Sequence, residues 1–331
     1  MQTPSHLARF TALALALVSI ELLTAFDRPA RTIAPRRGPP SRLTSGTGGA
    51  SQPAIAQRLL YVWDNTLPGD ATRTGRLLEF CPRGGIGTIA IDCAPLGVAP
   101  AAHAARYRAF VDQARGRGLR VLALAGDSWW TAPASPPVPN QQGSQNDGWN
   151  FYGALRSSGV AFDGVLDVSE PYLRDPAAFW ANPLPFAQGL VDFLAGARAR
   201  LGSMPLLHAM PYWYDEDARL VLRLAGSSIA RPLNQYVQPL VDTTVLLENR
   251  DHALGTDGIL AHSQGELATG PCILGVETQD LGTSGNALTF WEEGRAAMER
   301  QLALVTFARL NNPNLRGFAI HHYASFVNLA P

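Results

Sequence analysis

No lysine occurs among the 331 residues, so all 27 basic side chains are arginine. That absence removes every mechanism built on a lysine amine: Schiff-base aldolases, pyridoxal-phosphate enzymes and phosphate-loop nucleotide hydrolases. Cysteine is nearly absent as well. Cys81, Cys93 and Cys272 are too few for a disulfide framework, and no Cys-x-x-Cys pair suggests zinc. At most one bridge could join two of the three, with one thiol left over. Charge is sparse at 16% of residues, and 27 acidic groups balance the arginines, so no net charge points to nucleic acid. Beyond residue 26 no segment is long and apolar enough to cross a membrane. What the chain does have is core material: 46% of it is hydrophobic, which excludes wholesale disorder.

The N-terminus reads as a targeting segment. His6 and Arg9 precede an apolar stretch from Phe10 to Phe26, interrupted only by Thr11, Ser19, Glu21 and Thr24. Residues 1–26 are expected to be a secretory signal peptide, with a retained membrane anchor as the alternative. From Asp27 to Gln57 proline alternates with arginine, serine, threonine and glycine, and only Ile33, Leu43 and Ile55 are sizeable apolar side chains. Such a stretch buries too little surface to offset its ordering entropy, so residues 27–57 are expected to be a flexible linker. The protein is expected to be secreted or periplasmic, with any membrane tether confined to the N-terminus. The folded unit is expected to begin at Arg58.

From there one pattern repeats: a short apolar run, a polar loop, then an amphipathic stretch. Eight runs read as strands, at Leu59–Trp63, Thr88–Asp92, Arg120–Ala125, Gly164–Val168, Pro205–Met210, Thr243–Leu247, Ile273–Val276 and Gly317–His321. Helical spacing is found at Ala102–Gly116, Phe186–Leu201, Ala218–Leu224 and Glu292–Leu310. Strands alternating with helices argue for parallel pairing through right-handed crossovers. Eight units over residues 58–331 predict one domain, a closed (β/α)8 TIM barrel of the α/β class. An open doubly wound sheet is the alternative, but Trp63-Asp64-Asn65-Thr66 is no glycine-rich phosphate turn.

In such a barrel, function sits where strands hand over to the following loops. Those ends carry Trp63 and Asp64; Asp92; Asp127 and Trp129; Asp167, Glu170 and Tyr172; His208, Tyr212 and Trp213; Glu248 and Arg250; Glu277; and His322 and Tyr323. Carboxylates ringed by aromatic platforms suit sugars, whose C–H faces stack on rings while their hydroxyls pair with acids. A carbohydrate is therefore the expected partner. Glycoside hydrolysis needs two carboxyl groups, and Glu170 after strand four lies across the barrel mouth from Glu277 after strand seven. These two are the expected catalytic pair, and the other fourteen are expected to bind substrate. No residue pattern calls for a cofactor or a metal ion. Strand alternation adds an expectation about register: with Glu170 inward, a regular strand sends Asp167 into the helix layer, and a one-residue bulge at Ser169 would turn it back. The bulge is the favoured arrangement.

Three resemblances bear on the same residues. Ser169-Glu170-Pro171 resembles the Asn-Glu-Pro acid/base segment of the large clan of retaining glycosidases with carboxylates on strands four and seven, with Ser169 standing for the asparagine. That likeness implies Glu170 as acid/base and Glu277 as nucleophile; a hydrogen bond from Tyr323 or His322 is expected to steady the nucleophile. The run from Asp163 to Glu170 resembles the chitinase signature Asp-Gly-x-Asp-x-Asp-x-Glu, with Leu166 and Val168 in place of its inner aspartates. A closer likeness, spanning nearly all of residues 58–331, is to secreted glycosidase-like barrels. It rests on Gly275-Val276-Glu277-Thr278 and Gly317-Phe318-Ala319-Ile320-His321-His322-Tyr323, and it implies the fold and the site. Two other functions compete: a carbohydrate-binding barrel without turnover, and a metal-dependent hydrolase or deacetylase using His208, His321 and His322.

Overall fold

A computed structural model of the chain describes residues 58–133 and 142–331. The expected signal or anchor (1–26) and linker (27–57) lie outside the described residues. Eight strands close into a parallel barrel: β1 (Arg58–Val62), β2 (Ile86–Asp92), β3 (Arg120–Ala125), β4 (Gly164–Asp167), β5 (Leu206–Pro211), β6 (Thr243–Leu247), β7 (Cys272–Glu277) and β8 (Leu315–His321). Each pairs with its sequence neighbours, and β8 closes the ring on β1 through Leu59–Ala319 and Leu60–Ile320. The expected (β/α)8 barrel is therefore the observed one.

Alternation along the strands builds two apolar layers. Leu59, Tyr61, Ala90, Leu122, Leu124, Leu166, Leu207, Ala209, Val245 and Ala319 fill the barrel, with Trp63, Val168, Leu247 and Ile273 packed on them. Their neighbours Leu60, Ile89, Ile91, Val121, Ala123, Val165 and Leu246 face the surrounding helices, and all are buried. Burial on both faces explains why the strands read as near-continuous apolar runs. Each enclosed leucine contributes about 2 kcal/mol of transfer free energy.

Five long helices cover the outside: α1 (Ala71–Arg83), α2 (Pro100–Arg115), α3 (Gln145–Ser157), α4 (Leu184–Leu201) and α5 (Gly294–Ala308). Their starts are chemically marked. Asp70 accepts from Arg73 N at 2.9 Å to cap α1, and Ser144 with Asp147 forms a capping box on α3. Helix α4 buries Phe186, Leu190, Phe193, Leu194, Ala197 and Leu201, a stripe at three- and four-residue steps. The expected helix at Ala218–Leu224 is not formed. Ala218–Leu220 is a single 3-10 turn leading into a hairpin that pairs Val221–Leu222 with Arg231–Pro232. Seven residues barely repay helix nucleation, and Asp217 caps the tighter turn by accepting from Arg219 N at 2.9 Å. All three cysteines are buried and free, so no bridge forms. No helix among the described residues is long and apolar enough to cross a membrane.

Candidate active site

Residues that continue the inward-facing register past the last barrel layer form the floor of the mouth. Trp63 follows Tyr61, Asp92 follows Ala90, Glu277 follows Ile273 and Gly275, and His321 follows Ala319, each two residues on. On β4 the inward series is Leu166, Val168 and then Glu170. No bulge is needed, which corrects the expected insertion at Ser169. Gly126 permits this approach: at φ 155°, a Cβ there would sit 2.6–2.8 Å from the backbone of Val168 and Ser169.

The outward-facing residues are satisfied behind the sheet. Asp167, fully buried, accepts from Tyr152 Oη of α3 at 2.6 Å and from Ser169 Oγ at 2.9 Å, and meets His208 Nδ1 at 2.7 Å. Asp167 and His208 therefore hold the wall together rather than lining the mouth. Ser169 is taken up by the same network. Glu248 shares the outward face of the buried Leu246 and lies near Glu266, whose pKa burial and Asp215 push up to about 10. Asp64 pairs with Arg73 on α1 and accepts from Thr66, which makes it part of a surface ion pair.

The two expected catalytic carboxyls stand in opposite environments. Glu277 is 6% exposed and accepts three hydrogen bonds. Thr278 N and Gln279 N both donate to Oε1 at 2.8 Å, and His321 Nδ1 donates to Oε2 at 2.7 Å. Burial alone would raise its pKa, but the His321 ring and the backbone donors outweigh burial and hold it below the usual glutamate range. Glu170 is 4% exposed, and its Oε2 receives no hydrogen bond. Burial, aided by the Asp167 charge, pushes its pKa up to about 8. One carboxyl is built to be charged at neutral pH and the other to carry a proton.

Tyr61 joins them. Its hydroxyl is buried without a hydrogen-bond partner, and burial, then Glu170, then Glu277 drive its pKa far above the ordinary phenol value. Asp92 sits beside this floor, accepting from Ala94 N at 2.8 Å and from Asn65 Nδ2 at 3.0 Å. Tyr214 closes the Glu170 side, its own pKa raised by burial and then by that carboxyl. The residues missed from sequence are Tyr61, Asn65, Tyr214 as a neighbour of Glu170, and His321 as a partner of Glu277. Period-two counting from Ala319 and Trp63 marks His321, Tyr61 and Asn65 as inward; Tyr214 carries no such signal.

The remaining expected binders divide by packing. Asp127 accepts from Trp129 N at 2.9 Å, shaping the turn that presents the half-buried Trp129, over which the Arg174 guanidinium sits 5.8 Å from the ring centre. Tyr172 and Trp213 meet edge-on at 5.0 Å and are buried with Phe179 and Tyr214. Trp213 is therefore packing more than platform. Arg250 donates to Tyr212 Oη at 2.8 Å and to Asp257 Oδ1 at 3.1 Å, clamping the loops after β5 and β6. His322 accepts from Ala324 N at 3.3 Å, and burial lowers its pKa to about 4. Tyr323 turns away to meet Phe80 of α1 edge-on at 5.7 Å. Neither His322 nor Tyr323 donates to Glu277; His321 does. Among the described residues no three metal-ligating side chains converge.

No protein-family model and no curated protein sequence matches the chain. Solved structures do. The exo-β-1,4-mannosidase Op5Man5 of Opitutaceae bacterium strain TAV5 superposes with a TM-score of 0.52 at 13% identity, over 85% of this chain and 55% of that one. The β-glucuronidase of Bacteroides uniformis gives 0.52 at 11%, over 82% and 30%. A mutant GH18 chitinase of Cycas revoluta in complex with (GlcNAc)4 gives 0.50 at 11%, over 82% and 96%. The chain shares the (β/α)8 barrel of these structures. It spans about half of the mannosidase and less than a third of the glucuronidase, and at these identities the likeness is one of fold. In this barrel the chemistry rests on Glu170, Glu277 and their surroundings.

Proposed function

We propose that the protein is a retaining glycoside hydrolase acting on an extracellular or envelope oligo- or polysaccharide. The observation that carries this reading is the opposed surroundings of two buried carboxyls at one barrel mouth, one held by three donors and the other with an oxygen that has none. Three donors hold Glu277 ionised, whereas Glu170, with no donor on Oε2, keeps its proton up to about pH 8. In the first step Glu277 attacks the anomeric carbon as the glycosidic C–O bond breaks, and the Glu170 proton passes to the departing oxygen. In the second step water attacks that carbon, the Glu170 carboxylate takes its proton, and the bond to Glu277 breaks. Half-buried Trp63 on the floor of the mouth and Trp129 on the loop after β3 supply aromatic surface for a sugar ring. Leu166 and Val168 both pack within the barrel, so β4 offers no inward aspartate for substrate-assisted chitinase chemistry.

A panel of 4-nitrophenyl and 2,4-dinitrophenyl glycosides tests the reading. The parent cleaves at least one, and proton NMR shows the product first formed with its anomeric configuration retained. Glu277→Gln abolishes turnover. Glu170→Gln slows the 4-nitrophenyl substrate more than the 2,4-dinitrophenyl one, whose better leaving group needs less protonation. Binding of oligosaccharide without cleavage of any glycoside would favour a carbohydrate-binding barrel instead.

A further inference from the structure

The hydrogen bonds at the β1–β8 seam extend one residue beyond Glu277. His321 Nδ1 lies 2.7 Å from Glu277 Oε2, and the Trp63 indole Nε1 donates to His321 Nε2 at 2.9 Å. An indole nitrogen can only donate, so Nε2 must accept and cannot carry a proton of its own. The remaining proton of the ring then sits on Nδ1, aimed at the carboxylate. The ring has no freedom to turn out of this arrangement. Tyr61, Trp63 and His322 meet it edge-on at centroid distances of 5.3, 5.9 and 5.0 Å. Its backbone is tied down too, since the His321 carbonyl accepts from Thr278 N and Thr278 Oγ1, both at 2.8 Å.

We propose that Trp63 is a positioning residue that acts through His321, fixing it as the neutral Nδ1–H tautomer and so giving Glu277 a donor without a neighbouring positive charge. The distinction matters because an imidazolium would hold the carboxylate as an ion pair and blunt its attack on carbon. A neutral ring orients Glu277 and leaves its full charge available. The groups facing the imidazole are Glu277 from β7, Tyr61 and Trp63 from β1, and His322 beyond β8. None of them other than Trp63 donates to Nε2. This inference rests on Glu277 as nucleophile for its catalytic consequence, but its structural core is independent of the reaction.

Nitrogen-15 NMR of the full-length protein labelled at histidine tests it directly. In the parent at pH 8, His321 shows a protonated Nδ1 and a hydrogen-bonded, unprotonated Nε2. Trp63→Phe keeps an aromatic ring but removes the N–H, and at the same pH part of the ring population then carries its proton on Nε2 instead of Nδ1. With the 4-nitrophenyl glycoside that the parent cleaves, the variant loses about tenfold in kcat, the equivalent of one hydrogen bond, while KM stays within about twofold. A protonated Nε2 in the parent overturns the proposal whether or not the variant folds. An unchanged His321 spectrum in folded Trp63→Phe overturns it equally. A parent that cleaves no glycoside counts against the hydrolase reading alone, because the NMR result still decides the tautomer.

Discussion

Replacing Glu170 by glutamine should stabilise the protein, and by an amount that grows with pH. In the folded protein Glu170 holds its proton to about pH 8, against 4.5 for an ordinary glutamate. Below pH 4.5 the group is neutral in both folded and unfolded chains and contributes its full stability. As pH rises the unfolded chain ionises first, so stability falls until the folded group also ionises near pH 8. Each tenfold change in proton binding is worth about 1.4 kcal/mol, which makes the whole span about 5 kcal/mol. With only 4% of the residue exposed, solvent screening takes little from that figure. Glu170→Gln keeps the shape and removes the titration. Urea unfolding followed by circular dichroism, repeated from pH 4 to pH 9, should find parent and variant nearly equal at the acid end. By pH 8 the variant should lead by several kcal/mol. Asp215 and Glu266 also titrate from buried positions, but they are common to both proteins and cancel in the difference. A constant difference across the range would refute the reasoning, because it would mean that Glu170 titrates normally in the folded state.

Two further outcomes follow from the same geometry. The rate profile, read as kcat/KM with a 4-nitrophenyl glycoside, should lose its basic limb as pH rises through about 8, where Glu170 gives up its proton. Its acid limb should lie below the ordinary glutamate range, since His321 and two backbone donors keep Glu277 ionised; an acid limb at or above that range would assign it to another group. Trp213→Ala should cost about 3–5 kcal/mol in urea unfolding, the usual loss for a large aromatic enclosed by others, whereas a true rim platform would lose binding and keep stability.

Chain-local physics decided the barrel. Strand-length apolar runs alternate with helical stripes, and that alternation admits few folds, so each of the eight expected strands lies within two residues of an observed one. It also placed Glu170 and Glu277 at strand ends, because the loops after parallel strands all open at one face. Which side of its strand each polar residue occupies was less legible. Asp167 and Glu248 sit at strand ends as plainly as Glu277 does, and His208 lies inside β5, yet one step of register puts all three behind the sheet. There Tyr152, reached across the β3–β4 crossover, satisfies Asp167 and removes any need for a bulge. The helix expected at Ala218–Leu224 failed for a similar reason, since its short stripe found a hairpin partner in Arg231–Pro232.

The protonation states belonged to the tertiary structure entirely. Two glutamates look identical in sequence, and nothing local distinguishes an acid from a nucleophile. Closing β8 against β1 brings Trp63 and His321 together across 258 residues of chain, and pairing β7 with β8 sets that ring on Glu277. Glu170 is buried with no donor on Oε2, and the Asp167 charge adds to the effect of burial. Burial and hydrogen-bond donors set a carboxyl's proton affinity, and both are properties of the folded neighbourhood rather than of the residue.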